Sequence, residues 1–269
     1  MHNGMIKIIT GVRRCGKSYL LFELFKQSLL ENGVNEEHII QVDLEDRRNK
    51  HLREPDRLLD HIDGHITDND MYYILLDEIQ LVPEFEDVLN SYLKIKNTDV
   101  YVTGSNSRML SSDVKTEFRG RGYEIRVHPL SFSEFMSVFK GDKYMGLSEY
   151  MLYGGIPLVV LRESSSDKAA ALQNLFSEIY IRDIFKRNRI KNIGELEDLL
   201  NILSSAIGSL TNPEKLKNTF KTVKKSKITS KTIKKYLDCF EDSFLIESAQ
   251  RYDIKGKAYI ETPKKYYFS

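Results

Sequence analysis

Gly11-Val12-Arg13-Arg14-Cys15-Gly16-Lys17-Ser18 is the stretch from which the rest of this chain is read. It fits the phosphate-binding pattern G-x-x-x-x-G-K-[ST] at every fixed position. Its flanks have the matching shape. Ile6 to Thr10 is a short β-branched run, the mark of a strand. Ser18 to Leu30 places Leu21, Phe25 and Leu29 at four-residue spacing ahead of Gly33, the mark of a helix and its stop. Strand, glycine loop and helix together imply a nucleoside triphosphate with Mg²⁺ as ligand. Gly11 and Gly16 permit backbone angles that turn successive N–H groups toward one anion, and the helix start adds its positive dipole end. Lys17 is expected to reach the β- and γ-phosphates, and the Ser18 hydroxyl to ligate Mg²⁺. Val12, Arg13, Arg14 and Cys15 fill the variable positions and Tyr19 follows, so Gly11 to Tyr19 is the expected nucleotide-binding segment. Cys15 reads as a small packing residue, because no base stands beside it to activate a thiol.

A second motif lies where a triphosphatase needs one. Tyr72-Tyr73-Ile74-Leu75-Leu76-Asp77-Glu78 is an apolar run ending in two carboxylates. The apolar part predicts a buried parallel strand, and ligands of open α/β sheets bind at the carboxyl ends of such strands. Asp77 is then the residue to hold Mg²⁺ through its water shell, and Glu78 the general base for the attacking water. A third strand, Val100 to Thr103, leads into Gly104-Ser105-Asn106-Ser107, where Ser105 or Asn106 is placed to orient that water. Phe118-Arg119-Gly120-Arg121-Gly122 precedes a strand at Tyr123 to Val127. Either Arg119 or Arg121 is a candidate finger for transition-state charge, in cis or from a neighbouring subunit of a homo-oligomer.

Ile39 to Leu44 predicts one more strand, and Asp56 to Ile66 and Glu84 to Ile95 predict helices. This βα alternation argues an α/β fold, a parallel sheet with helices on both faces.

Five stretches carry a resemblance to a known group: Thr10 to Ser18, Leu76-Asp-Glu-Ile-Gln80, Thr103 to Ser107, His128-Pro-Leu-Ser-Phe-Ser-Glu-Phe135 and Tyr153-Gly-Gly-Ile-Pro157. The chain resembles the bacterial and archaeal AAA+ superfamily ATPases that join an N-terminal AAA domain to a C-terminal domain of unknown function. The resemblance runs over nearly the whole chain and implies ATP rather than GTP. The Asn-Lys-x-Asp signature of GTPases is absent from the sequence. Members of the group usually carry a segment before the first strand and continue beyond the point where this chain stops. The chain therefore reads as truncated at both ends.

The formal net charge of +1 conceals two halves of opposite sign. Residues 1–150 hold 19 basic and 25 acidic side chains, while residues 151–269 hold 21 and 14. The basic part concentrates in Lys215 to Lys235, with nine lysines and no acid. There Pro213 suits the first turn of a helix, and Thr229 or Ser230 suits the N-cap of the next, with Ile233, Leu237, Phe240 and Phe244 on one face. Leu245 to Tyr252 and Lys257 to Glu261 predict two strands. Helix, turn, helix and hairpin is the plan of a winged helix, whose lysine face offers itself to DNA or to a protein partner. The expected division is a P-loop AAA ATPase domain at 1–130, a helical lid or linker at 131–205 and an incomplete winged-helix-like domain at 206–269.

Composition narrows the classes. Two cysteines, Cys15 and Cys239, lie far apart, which argues against a disulfide framework and for a reducing, cytoplasmic setting. The sequence shows no signal peptide and no uninterrupted apolar stretch of about 18 residues, so no membrane partner is expected. The function expected is Mg²⁺-dependent ATP hydrolysis that moves the winged-helix module. The alternative is a nucleotide-gated DNA-binding regulator with little turnover.

Overall fold

The apolar run ahead of the glycine loop forms strand β1, Ile6–Thr10, in a computed structural model that describes residues 3–104, 118, 120–177, 184–185, 188, 190, 192–251 and 262–268. After the loop, Lys17–Tyr19, Leu20–Phe25 and Lys26–Glu31 run on as one helix, α1, whose middle stretch is π-wound. Strand β2 is Ile39–Asp43, helix α2 is Pro55–Asp63, strand β3 is Tyr72–Asp77 and helix α3 is Phe85–Tyr92. Strands β4, Thr98–Thr103, and β5, Gly122–Arg126, complete the set. The sheet order is β2-β3-β4-β1-β5, and every neighbouring pair is parallel. This is the α/β fold of a P-loop NTPase, with helices on both sides of the sheet.

Alternation along the strands assigns each helix its face. Ile6, Ile8, Ile40, Val42, Ile74, Leu76, Val100 and Val102 point to one side and share a core with Leu58 and Ile62 of α2 and Val88, Leu89 and Tyr92 of α3. Ile9, Ile39, Tyr73, Leu75 and Tyr101 point to the other and pack on Leu21 and Leu29 of α1. Burying one such side chain stabilises by about 1.5–3 kcal/mol. Within the second face Lys7 and Asp99 form a buried ion pair, and the Tyr101 hydroxyl donates to Asp99 Oδ2 at 3.0 Å. The helices expected at 56–66 and 84–95 are longer than the observed α2 and α3. At α2 the Gly64 N–H closes on the Asp60 carbonyl at 3.0 Å, and at α3 Glu84 has a φ of 52°, outside the helix.

The chain divides into two compact units, Met1–Ser131 and Phe132–Ser269. The second is mainly helical: α4 Phe132–Val138, α5 Lys143–Tyr153, α6 Pro157–Val160, α7 Ser165–Asn174, α8 Ile193–Ser205, α9 Pro213–Lys224 and α10 Ser230–Asp242. Asn192, Asn212 and Thr229 cap α8, α9 and α10, each side chain accepting from a backbone N–H three residues on. Leu196, Leu199 and Leu203 of α8 share one core with Leu216 and Phe220 of α9 and Ile233, Leu237 and Phe240 of α10. Residues on both sides of position 205 thus belong to a single core. Strand β6, Ile246–Ala249, pairs antiparallel with β7, Lys265–Phe268. The expected strand at Lys257 to Glu261 lies outside the described residues. The register Ile246↔Phe268 gives β6 a partner close to the last residue of the chain. Among the described residues no helix is long and apolar enough to cross a membrane.

Candidate nucleotide site

Register brings the predicted residues to one edge. Asp43 pairs with Asp77, Ile9 with Thr103 and Thr10 with Arg126, so β1 to β5 all end on the same side of the sheet. The glycine loop leaves β1 at that edge. Gly11 has a φ of 143°, and a Cβ there would lie 2.0 Å from the Val127 carbonyl oxygen, so only glycine fits against the exit of β5. Gly16 has a φ of 100° and opens α1, with the Leu20 N–H donating to its carbonyl at 2.8 Å. Arg14 also has a positive φ, 66°.

Lys17 is 5% exposed. Its Nζ donates to the carbonyls of Gly11 at 3.1 Å and Val12 at 3.0 Å, and it makes no ion pair among the described residues. Among the described residues its partners are thus neutral carbonyls, and a buried ammonium is costly without an opposite charge. Arg13 reaches Glu45 Oε1 at 3.4 Å, and Ser18 and Tyr19 are exposed at the start of α1. Cys15 is buried, with its Sγ donating to the Val127 carbonyl at 3.5 Å. Burial pushes its thiol above the ordinary value, against a smaller lowering by Lys17. The packing reading of this cysteine agrees with that geometry.

Asp77 is 4% exposed and accepts hydrogen bonds from the hydroxyls of Thr103 and Ser18. Burial raises its carboxyl above the ordinary value, the two hydroxyls lower it, and Glu78 and Asp43 raise it again. The Thr103 hydroxyl is shared: it also accepts from the Glu78 N–H at 3.0 Å. Glu78 itself lies in the left-handed region, φ 54° and ψ 47°, and its carboxylate accepts from the Gln80 amide.

The structure therefore brings together Gly11 to Ser18, Asp77 and Glu78. Arg121 is elsewhere in the unit. Its carbonyl accepts from the Ile6 N–H at 2.8 Å, which places it at the start of β1 and β5, the edge opposite the loop. Five residues of strand separate the two edges, about 16 Å, so Arg121 does not face the loop of its own chain. Ser105, Asn106 and Arg119 lie outside the described residues. Sequence reasoning passed over Thr103 and Gln80. Thr103 was counted as the end of a strand and Gln80 as part of a motif. Only the register of β3 against β4 shows that Thr103 comes beside Asp77.

Residues 3–136 match the family model of an AAA domain. Over these residues the chain matches the AAA domain family. This AAA domain is followed at residues 145–269 by a match to a domain of unknown function. An uncharacterized protein of Haemophilus influenzae is 35% identical over 268 residues, covering 97% of this chain and 66% of its own length. An uncharacterized protein of Methanocaldococcus jannaschii is 29% identical, covering 94% of this chain and 58% of its own. The chain thus spans about two thirds or less of these curated relatives. Among solved structures, Cdc6p from Pyrobaculum aerophilum aligns at 13% identity with a TM-score of 0.42, over 98% of this chain and 85% of that one. The Aeropyrum pernix ORC1 protein, solved in complex with DNA, aligns at 13% identity and 0.37, over 98% and 83%. The match to the AAA domain supports AAA+ ATPase-type nucleotide binding by the first unit.

Proposed function

We propose that this chain is a Mg²⁺-dependent ATPase whose turnover moves a winged helix formed by α9, α10 and the β6–β7 hairpin. The observation that carries the reading is the buried Lys17 ammonium, held by the Gly11 and Val12 carbonyls. A polyphosphate supplies an opposite charge. The donors next to it, the Ser18 hydroxyl and the Asp77 carboxylate, are hard oxygens of the kind Mg²⁺ prefers. Mg²⁺, when bound, neutralises charge on the phosphate oxygens. Gly11 to Tyr19 wraps the phosphates, and Lys17 binds the β- and γ-oxygens. Glu78 takes the proton of the attacking water, and Ser105 or Asn106 senses the γ-phosphate. Arg119 or Arg121 serves as the finger; for Arg121, the opposite edge of the sheet favours action on a neighbouring subunit of a homo-oligomer.

Phosphate release from ATP, followed at several protein concentrations with and without Mg²⁺, tests the reading. Turnover that needs Mg²⁺ and rises per chain with concentration supports it together with a trans finger. ATP bound but never hydrolysed rejects the enzyme.

One observation favours a second reading, a nucleotide-gated DNA-binding regulator. Lys221, Lys225, Lys227, Lys231 and Lys234 are all exposed on α9, the turn and α10. Lysines of that kind give sequence-tolerant, salt-dependent binding to phosphates. Duplex affinity that falls steeply with salt and differs between ATP and ADP supports this reading. Equal, weak binding in both states rejects it.

A further inference from the structure

Gln80 sits two residues beyond the proposed general base, in the turn Ile79–Leu81. The turn is rigid: the Leu81 N–H donates to the Glu78 carbonyl at 3.0 Å, the Val82 N–H donates to the Ile79 carbonyl at 2.9 Å, and Ile79 is fully buried in the core. The two ends of the Gln80 amide have different fates. Its Nε2 donates to Glu78 Oε2. Its Oε1 is shielded from solvent and has no hydrogen-bond partner among the described residues. A buried carbonyl oxygen without a donor is costly, and the turn bears that cost while Nε2 faces Glu78. The amide cannot relieve the cost by flipping, because that would set Oε1 against the Glu78 carboxylate.

We infer that Gln80 positions the general base: Nε2 pins the Glu78 carboxylate in one orientation toward the attacking water. This rests on the reading of Glu78 as general base. A water held by the carboxylate in that orientation donates one O–H to Glu78. Its lone pair is then left to point at the γ-phosphorus. In the step itself the water oxygen bonds to the γ-phosphorus as the β–γ bridging P–O bond breaks. The proton facing Glu78 passes to that carboxylate, and the electron pair of the broken bond leaves with ADP. Gln80 exchanges no proton; it sets the direction of attack, and its contribution is made in the transition state rather than to bound ATP. It is a positioning residue that acts through Glu78.

The test compares wild type, Gln80→Met, Gln80→Asn and Glu78→Gln by steady-state ATP hydrolysis, equilibrium ATP binding and thermal melting. Met keeps the volume and removes both polar atoms. The expected result is a fall in kcat of roughly 10- to 100-fold for Gln80→Met, with KM and ATP affinity within about twofold of wild type. Gln80→Asn, one methylene shorter, should lose activity similarly and carries the test if the Met variant does not fold. Unchanged kcat in both variants, with Glu78→Gln inactive, overturns the role of Gln80 alone. So does a loss that falls on ATP affinity while kcat stays, which marks Gln80 as a structural support. A Glu78→Gln variant that hydrolyses ATP at the wild-type rate overturns the general-base reading, and the inference about Gln80 with it.

Discussion

At the scale of the residue, the loop explains why its glycines and lysine cannot be exchanged. Gly11→Ala must place a methyl group 2.0 Å from the Val127 carbonyl oxygen at a φ of 143°. The expected loss is about 1–3 kcal/mol, read as a lower midpoint in urea unfolding, with weaker ATP binding. Cys15 makes an opposite kind of prediction, that of inertness. Its thiol is held above the ordinary value of 9.0, first by burial. The folded state therefore disfavours the thiolate, and stability falls as pH rises from that ordinary value toward the raised one. At pH 8 the thiol should react with a disulfide reagent far more slowly in the native protein than in urea; equal rates would contradict the packing role. The identities of these residues, and of Ser18, Asp77 and Glu78, were legible because each occupies a fixed place in a local pattern. Thr103 and Gln80 were not, because what they do depends on partners brought in by the sheet and by a turn. The hydroxyl of Thr103 serves Asp77 26 residues away, a distance that no local pattern spans.

At the scale of the element, strands were easier to read than helices. Ile6–Thr10 and Tyr72–Asp77 are mostly apolar because both faces of a parallel strand are buried; the first agrees with the sequence to the residue and the second runs one residue past its apolar part, to Asp77. Helix ends depended on backbone turns at Gly64 and Glu84 that hydrophobic spacing does not encode. The antiparallel pairing of β6 with Lys265–Phe268 is likewise set by register rather than by local alternation. The polar pair inside the sheet also escaped pattern reading. Lys7 and Asp99 are 92 residues apart in sequence and buried together. Asp99→Ala leaves the ammonium uncompensated and should cost about 3–5 kcal/mol. In the double variant Lys7→Met/Asp99→Leu most of that loss should return; a double variant as unstable as Asp99→Ala would assign the loss to packing. In the second unit, Thr229→Ala removes the cap of α10 and should cost about 1 kcal/mol, while Phe240→Ala opens its core and should cost about 3–5 kcal/mol.

At the scale of the whole molecule, two units with separate cores divide the chain near its middle. Residues 132–269 expressed alone should unfold cooperatively, with Phe240→Ala lowering the midpoint; a broad, non-cooperative melt would mean that this core is not self-sufficient. The charge asymmetry follows the same division and matches two tasks, one on a polyphosphate and one on a partner of the lysine face. Everything proposed for turnover depends on nucleotide being held where the Lys17 ammonium is buried. The most direct test is calorimetric titration of ATP into wild type and Lys17→Ala, with Mg²⁺ and with chelator, each variant first checked for an unchanged melting curve. The account predicts one site per chain, tighter with Mg²⁺, and weakened by about 10- to 100-fold in Lys17→Ala. A Lys17→Ala protein that is folded and binds ATP as wild type does would contradict it.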